Sequence, residues 1–137
     1  MFAIDPRITR SAAPFLDLPL STVLLKDDAR WPWLVLVPRV ANAQELTDLS
    51  DEDAARLLAE IRLCARAIGA EPRVERTNIG ALGNVVPQLH IHVVGRWVGD
   101  AAWPGPVWGV EGKVAYDPAD RAARIARITD RLTSDVA

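Results

Sequence analysis

Seven residues constrain this chain more than any others: Gln88-Leu89-His90-Ile91-His92-Val93-Val94. Leu89, Ile91 and Val93 alternate with Gln88, His90 and His92, the pattern of a half-buried strand. Side chains two apart on a strand share a face. The 2 histidines of the chain therefore point the same way. Just upstream lie Asn78, Gly80, Gly83 and Asn84. Glycine permits φ > 0 and close approach, so such a loop can turn backbone N–H groups and carboxamides toward an anion.

The remaining segments read as strands bracketing helices. Ser21 to Leu25 is rich in strand formers, and Lys26-Asp27-Asp28-Ala29-Arg30 is a polar turn. Trp33 to Val37 is a near-continuous apolar run, which predicts a strand buried on both faces and an antiparallel hairpin with the first. Pro6, Pro14 and Pro19 break any long helix in residues 1–20, leaving a short one from Pro6 to about Ala12. Ser50 is an N-cap before Asp51, Glu52 and Asp53, whose charge suits the helix dipole. Ala54, Leu57, Leu58, Ile61, Cys64, Ala65 and Ile68 then follow at helical spacing. Arg56 and Glu60 are expected on the outer face, and Gly69 at C′. Arg73 to Asn78 reads as a third strand, and Gln88 to Trp97 as the histidine strand, with Pro87 before it. Asp117 and Pro118 open a last helix as N-cap and N1. Ala122, Ile125, Ile128 and Leu132 face inward there, and Arg121, Arg124, Arg127 and Arg131 form a basic stripe expected to be solvated. With no repeat, linker or low-complexity tract, residues 1–137 form a single α+β domain.

Composition excludes several classes. Half the residues are apolar, enough for one core. The net charge of −2 carries no basic bias toward nucleic acid. Cys64 is the sole cysteine, so no internal disulfide or Cys-x-x-Cys knuckle can form, and its place on an apolar helix face reads as a small buried hydrophobe. Met1-Phe2-Ala3-Ile4-Asp5-Pro6-Arg7 has neither a basic nor an apolar leader region, and no apolar run approaches the ~20 residues that span a bilayer. A cytoplasmic protein with no membrane partner is expected.

The histidine stretch resembles the signature of the histidine triad (HIT) family of nucleotide hydrolases and transferases, His-φ-His-φ-His-φ-φ with φ apolar, with Gln88 in place of the first histidine. Asn78-x-Gly80-x-x-Gly83-Asn84-x-Val86 resembles the family's phosphate loop, and Leu34-Val35-Leu36-Val37-Pro38-Arg39 its strand ending in Pro-Lys or Pro-Arg. The resemblance spans roughly Ser21 to Val110. It implies a HIT-like fold, an antiparallel five-stranded sheet with a central helix and a C-terminal helix packed on one side. It also implies a homodimer and a small-molecule nucleotide substrate of the dinucleoside polyphosphate or nucleoside phosphoramidate type, with no cofactor required. Of the site residues, it makes His90 the nucleophile at the α-phosphorus, giving a nucleotidyl-histidine that water hydrolyses. Neutral imidazole suits that role near pH 7. The backbone carbonyl of Gln88 would hold the protonated ring nitrogen of His90. The Gln88 side chain can hydrogen-bond but cannot titrate, which would alter rate, leaving-group preference or pH dependence. His92 would contact the phosphate or leaving-group oxygen and could donate a proton to it. Gly83 and Asn84, helped by Asn78, would bind phosphate oxygens, and Asp27 (or Asp28) the ribose hydroxyls.

Each residue also has a plainer reading. The histidines could be polar residues on a strand's wet face, and Asn78, Asn84, Asp27 and Asp28 ordinary turn residues. His-x-His is also a metal-ligand pair. It needs further ligands that neither a third histidine nor a cysteine pair supplies, so zinc is not expected, although distant Asp or Glu could serve. A non-catalytic nucleotide-binding module, with Gln88 marking lost catalysis, is the alternative function. The Arg96–Gly109 segment, with tryptophans among prolines, could cover the site, stack a base, or pack on the sheet or a dimer interface.

Overall fold

In the computed structural model, which describes residues 1–134, the chain runs α1 (Pro6–Thr9), β1 (Ala12–Asp17), β2 (Ser21–Lys26), β3 (Trp33–Pro38), a 3-10 turn (Leu46–Asp48), α2 (Asp51–Gly69), β4 (Arg76–Gly80), β5 (Ile91–Arg96) and α3 (Pro118–Ser134). The strands form a 5-stranded sheet in the order β1-β2-β3-β5-β4, with every pairing antiparallel. This is the expected α+β architecture with a central and a C-terminal helix. Residues 135–137 of the expected domain lie outside the described residues. Among those described, no helix is long and apolar enough to cross a membrane.

Every side chain of β3 is buried, as its apolar run predicts. Alternation then divides the interior in two. Leu34 and Leu36 join Leu25, Ile91 and Val93 beneath Leu57, Cys64 and Ile68 of α2 and Ile128 and Leu132 of α3. Trp33, Val35 and Val37 join Leu24 and Val94 on the opposite face. Among the described residues, no helix of the α2 kind covers that second face. It is closed by Phe2, Ile4 and Ile8 from the N-terminal segment and by Trp97, Ala102, Val107 and Trp108 from the loop after β5.

The helix starts follow the sequence. Ser50 accepts from the Asp53 N–H, and Asp117 from the Ala119 N–H. Other local expectations give way to tertiary structure. The α1 helix stops at Thr9, and a strand follows it. Pro14 sits within β1 because β1 is an edge, where a missing N–H is tolerated, and the register shifts between Pro14 and Leu16. The third strand begins at Arg76, after Arg73 adopts φ 73°. Gly69 is not a left-handed C′ residue; α2 runs through it and leaves by way of Ala70 in right-handed conformation. The buried face of α2 is also rotated from the expected one. Leu58 is 58% exposed and Ala54 is exposed, whereas Glu60 is buried and accepts from the Leu20 and Ser21 N–H groups at 2.8 and 2.9 Å. A carboxylate that satisfies two backbone donors can stand inside where an unpaired one cannot. In α3, Ala122 is exposed, and only the later turns reach the core.

The arginine stripe is not simply solvated. Arg124, Arg127 and Arg131 share one helix face and converge on the carboxylate of Glu71, which is fully covered, at 2.9, 2.9 and 2.6 Å. Burial alone would raise the Glu71 pKa. The hydrogen bonds from Arg127, Arg131 and Arg124 overcome it and hold the group at about 2, below its ordinary 4.5. A folded-state value below the unfolded one means stability that is complete above pH 4.5 and is lost as pH falls toward 2. That depression corresponds to on the order of 3 kcal/mol. Glu71→Gln is therefore expected to lower the unfolding free energy at pH 7 by roughly that amount. It should also flatten the fall in melting temperature between pH 4.5 and 2, as thermal melts across that range would show.

Candidate active site

The β5 ladder begins at Ile91, so Gln88 and His90 approach it from the loop. The expected alternation nevertheless holds: the His90 and His92 rings meet edge-on with centroids 5.1 Å apart. His90 Nδ1 lies 2.7 Å from the Gln88 carbonyl oxygen. A carbonyl can only accept, so in neutral His90 the proton is on Nδ1 and the Nε2 lone pair is free. The half-buried His90 ring lines a cleft of about 140 Å³ between Gln44–Thr47 and the Ala81–Gly83 loop. Gly83 has φ +71°, a conformation costly to any residue with a Cβ.

His92 stands opposite Val35 on β3 and Gly80 on β4. It is 8% exposed, and its ring lies between those of Trp33 and Trp108, each 5.7 Å away by centroid. Trp33 Nε1–H donates to its Nδ1 at 3.0 Å. Burial, aided by His90 and Lys26, pushes its pKa down to about 3, so His92 is neutral at physiological pH. A Cβ on Gly80 would lie 3.0 Å from the Trp108 ring, so only glycine there lets Trp108 sit against His92 without displacement. The segment after β5 thus packs on the sheet and walls the histidines.

The other expected site residues divide. Gly83 lines the His90 cleft, and Asn84 follows it, exposed. Asn78 pairs with Val94, so it shares the histidine face two residues from Gly80. Its Oδ1 accepts from Arg96 Nη1 at 2.8 Å, which leaves the NH₂ as the donor end of the carboxamide. The Gln88 side chain turns to the N-terminal segment: Oε1 accepts from the Asp5 N–H at 2.8 Å, and Nε2 donates to the Ala3 carbonyl at 2.9 Å. Asp27 is not brought to the histidines. It pairs with Lys113 at 3.0 Å and lines a groove with Tyr116 and Pro118 on the α3 side. Lys26 is the residue that ends β2 on the histidine face, its Nζ 5.4 Å from the Trp33 ring centroid.

Sequence reasoning missed Lys26 and Trp33 as neighbours of the site, whereas Trp108 lies in the segment it offered as a cover for the site. Parity along β2 separates Lys26 from Asp27, but only the register with β3 shows which parity faces the histidines. It also missed Arg96, which is 1% exposed. Arg96 donates to both Asp100 oxygens at 2.7 and 2.9 Å and to the Gly105 carbonyl at 2.8 Å, fixing the loop that carries Trp108. Among the described residues, no three His, Cys, Asp or Glu side chains gather as a metal-binding group. Gln88→Ala should release the N-terminal segment by removing two hydrogen bonds, one part-buried and one exposed. The expected loss is about 1–2 kcal/mol, with faster hydrogen exchange at the Asp5 amide. Unchanged protection at Asp5 would mean that the segment is held by its apolar contacts alone.

A family model described as HIT domain matches residues 10–98. Among solved structures, a histidine triad protein from Bradyrhizobium japonicum is 41% identical, with a TM-score of 0.93 over 96% of this chain and 98% of that one. A histidine triad protein from Marinobacter aquaeolei VT8 is 37% identical, with a TM-score of 0.93 over 98% of each chain. A relative from Mycobacterium tuberculosis named AP-4-A phosphorylase is 38% identical over 74 residues, 50% of this chain. The match spans only 37% of that protein's length.

Proposed function

Because this chain belongs to the HIT domain family, we propose that it is a nucleotide hydrolase or nucleotidyl transferase that acts at an α-phosphate through His90. The observation that carries the reading is the 2.7 Å contact between His90 Nδ1 and the Gln88 carbonyl, which leaves Nε2 as a free nucleophile. In the first step the Nε2 lone pair attacks the α-phosphorus, and the bond from phosphorus to the leaving oxygen or nitrogen breaks. The leaving group departs with its electron pair and takes up a proton. In the second step an acceptor attacks the same phosphorus and releases His90. With water as acceptor the product is a nucleoside monophosphate. Replacement of the first triad histidine by Gln88 is compatible with this chemistry because the orienting group is a backbone carbonyl, which every residue type has. Dinucleoside polyphosphates and nucleoside phosphoramidates are the substrate classes. The name of the M. tuberculosis relative supports the first of these and the transfer of the nucleotidyl group to an acceptor other than water.

Gly83 and Asn84 offer donors to the phosphoryl oxygens, with the Asn78 NH₂ in reserve. Homodimer formation belongs to the same reading, and the apolar side chains left in solvent on α2 and edge strand β4 support it, Leu58 at 58% and Ile79 at 48% exposure. Light scattering at micromolar concentration should give twice the chain mass.

The activity is tested with a panel of both substrate classes, and the covalent species by single turnover with an alkaline quench, which preserves the P–N bond. His90→Ala should fold and lose turnover, together with the mass increment of a nucleotidyl group. Asn84→Ala should lower kcat about a hundredfold, the usual worth of one preorganised donor, roughly 3 kcal/mol. Gly83→Val should be worse, since a β-branched residue is strained at φ +71°. Full turnover by His90→Ala would end the assignment, and an inert wild-type protein that still binds nucleotide would favour the binding module.

A further inference from the structure

We propose that Trp33 is a positioning residue: its indole N–H holds His92 as the neutral Nε2–H tautomer, so that His92 serves as a fixed hydrogen-bond donor to the phosphoryl group that His90 attacks. The inference rests on the reading of His90 as nucleophile, but its structural half can be tested separately.

An indole nitrogen can only donate. Trp33 Nε1 lies 3.0 Å from His92 Nδ1, with Trp33 6% and His92 8% exposed. The shared proton is therefore the indole's, and Nδ1 supplies a lone pair. A neutral imidazole has one donor and one acceptor nitrogen, so its proton is on Nε2, on the other side of the ring from Trp33. With Nδ1 protonated instead, two N–H groups would face each other in a buried contact, leaving both without an acceptor. The ring beside it has the inverse arrangement, because His90 Nδ1 faces a carbonyl. Two histidines whose centroids are 5.1 Å apart thus differ at the nitrogen each can offer a substrate: a lone pair at His90 Nε2 and an N–H at His92 Nε2. That difference distinguishes nucleophile from donor.

The titratable and charged groups acting on His92 are His90 and Lys26, and Lys26 Nζ lies 5.4 Å from the Trp33 ring centroid. Both disfavour an imidazolium. Trp108 closes another side with a ring that carries no charge. His92 accordingly acts by hydrogen bonding, not by titrating.

The test is long-range ¹H–¹⁵N correlation NMR of the histidine rings in the full chain, free and with AMP, assigned with His90→Gln. We expect one Nδ1–H ring, His90, and one Nε2–H ring, His92, with the His92 pattern unchanged from pH 8 to pH 5. In Trp33→Phe, which keeps the aromatic packing but removes the donor, His92 should become a tautomer mixture that titrates. Turnover should fall about tenfold in kcat, with KM nearly constant and a new pH dependence on the acid side. An Nδ1–H His92 in the wild type overturns the proposal, as does a Trp33→Phe protein with the wild-type pattern and rate. If Trp33→Phe fails to fold, the wild-type spectrum still decides the tautomer. Full activity of His90→Ala would instead overturn the nucleophile assignment and leave the Trp33–His92 pairing standing.

Discussion

Burial of β3 on both faces is the constraint on which the rest of the structure depends. A strand has two faces, and a run such as Trp33–Pro38 must hide both. Helices α2 and α3 hide one. Residues 2–8 and the tryptophan loop hide the other. The histidines lie on that second face, which is why the walls of the site are loop and terminal segments instead of helices. His92 is buried because it stands opposite Val35 in the middle of this face.

The polar groups of the site are fixed by partners that leave no choice of orientation. The Trp33 indole can only donate, and it makes His92 Nδ1 an acceptor. The Arg96 guanidinium can only donate, and it makes Asn78 Oδ1 an acceptor. The Gln88 carbonyl can only accept, and it makes His90 Nδ1 a donor. The ends that follow are an N–H at His92, an NH₂ at Asn78 and a lone pair at His90. Arg96 tolerates its burial because Asp100 binds it through two oxygens. Burial works against ionisation of that carboxyl, but the Arg96 hydrogen bonds hold it ionised down to about pH 2.

Two other buried carboxylates tie the helices to the rest of the fold. Glu60 clips α2 to the β1–β2 turn through backbone donors, and Glu71 gathers three arginines of α3. Both are placed by partners distant in the chain. Helical periodicity therefore assigned Glu60 to the outer face and the arginines to a solvated stripe. Periodicity sorts residues by hydrophobicity, and a charged side chain with a complete set of partners escapes that sorting.

What the sequence by itself determined about this protein was whatever has a local period or a local cap. The alternation around His90 and His92 placed both imidazoles on one face. The apolar run at Trp33–Val37 required a strand hidden on both sides. Ser50 and Asp117 marked helix starts, because a side-chain oxygen reaches only the N–H groups two or three residues ahead. The order of these motifs was enough for the HIT-like fold. The tertiary structure alone decided which side chains meet across strands. It put Lys26 instead of Asp27 on the histidine face, spent the Gln88 carboxamide on the N-terminal segment, made an edge strand of a segment containing Pro14, and set Trp33 against His92. A two-residue period states which residues share a face, but it carries no information about register, and register is fixed only when the sheet closes over both of its cores.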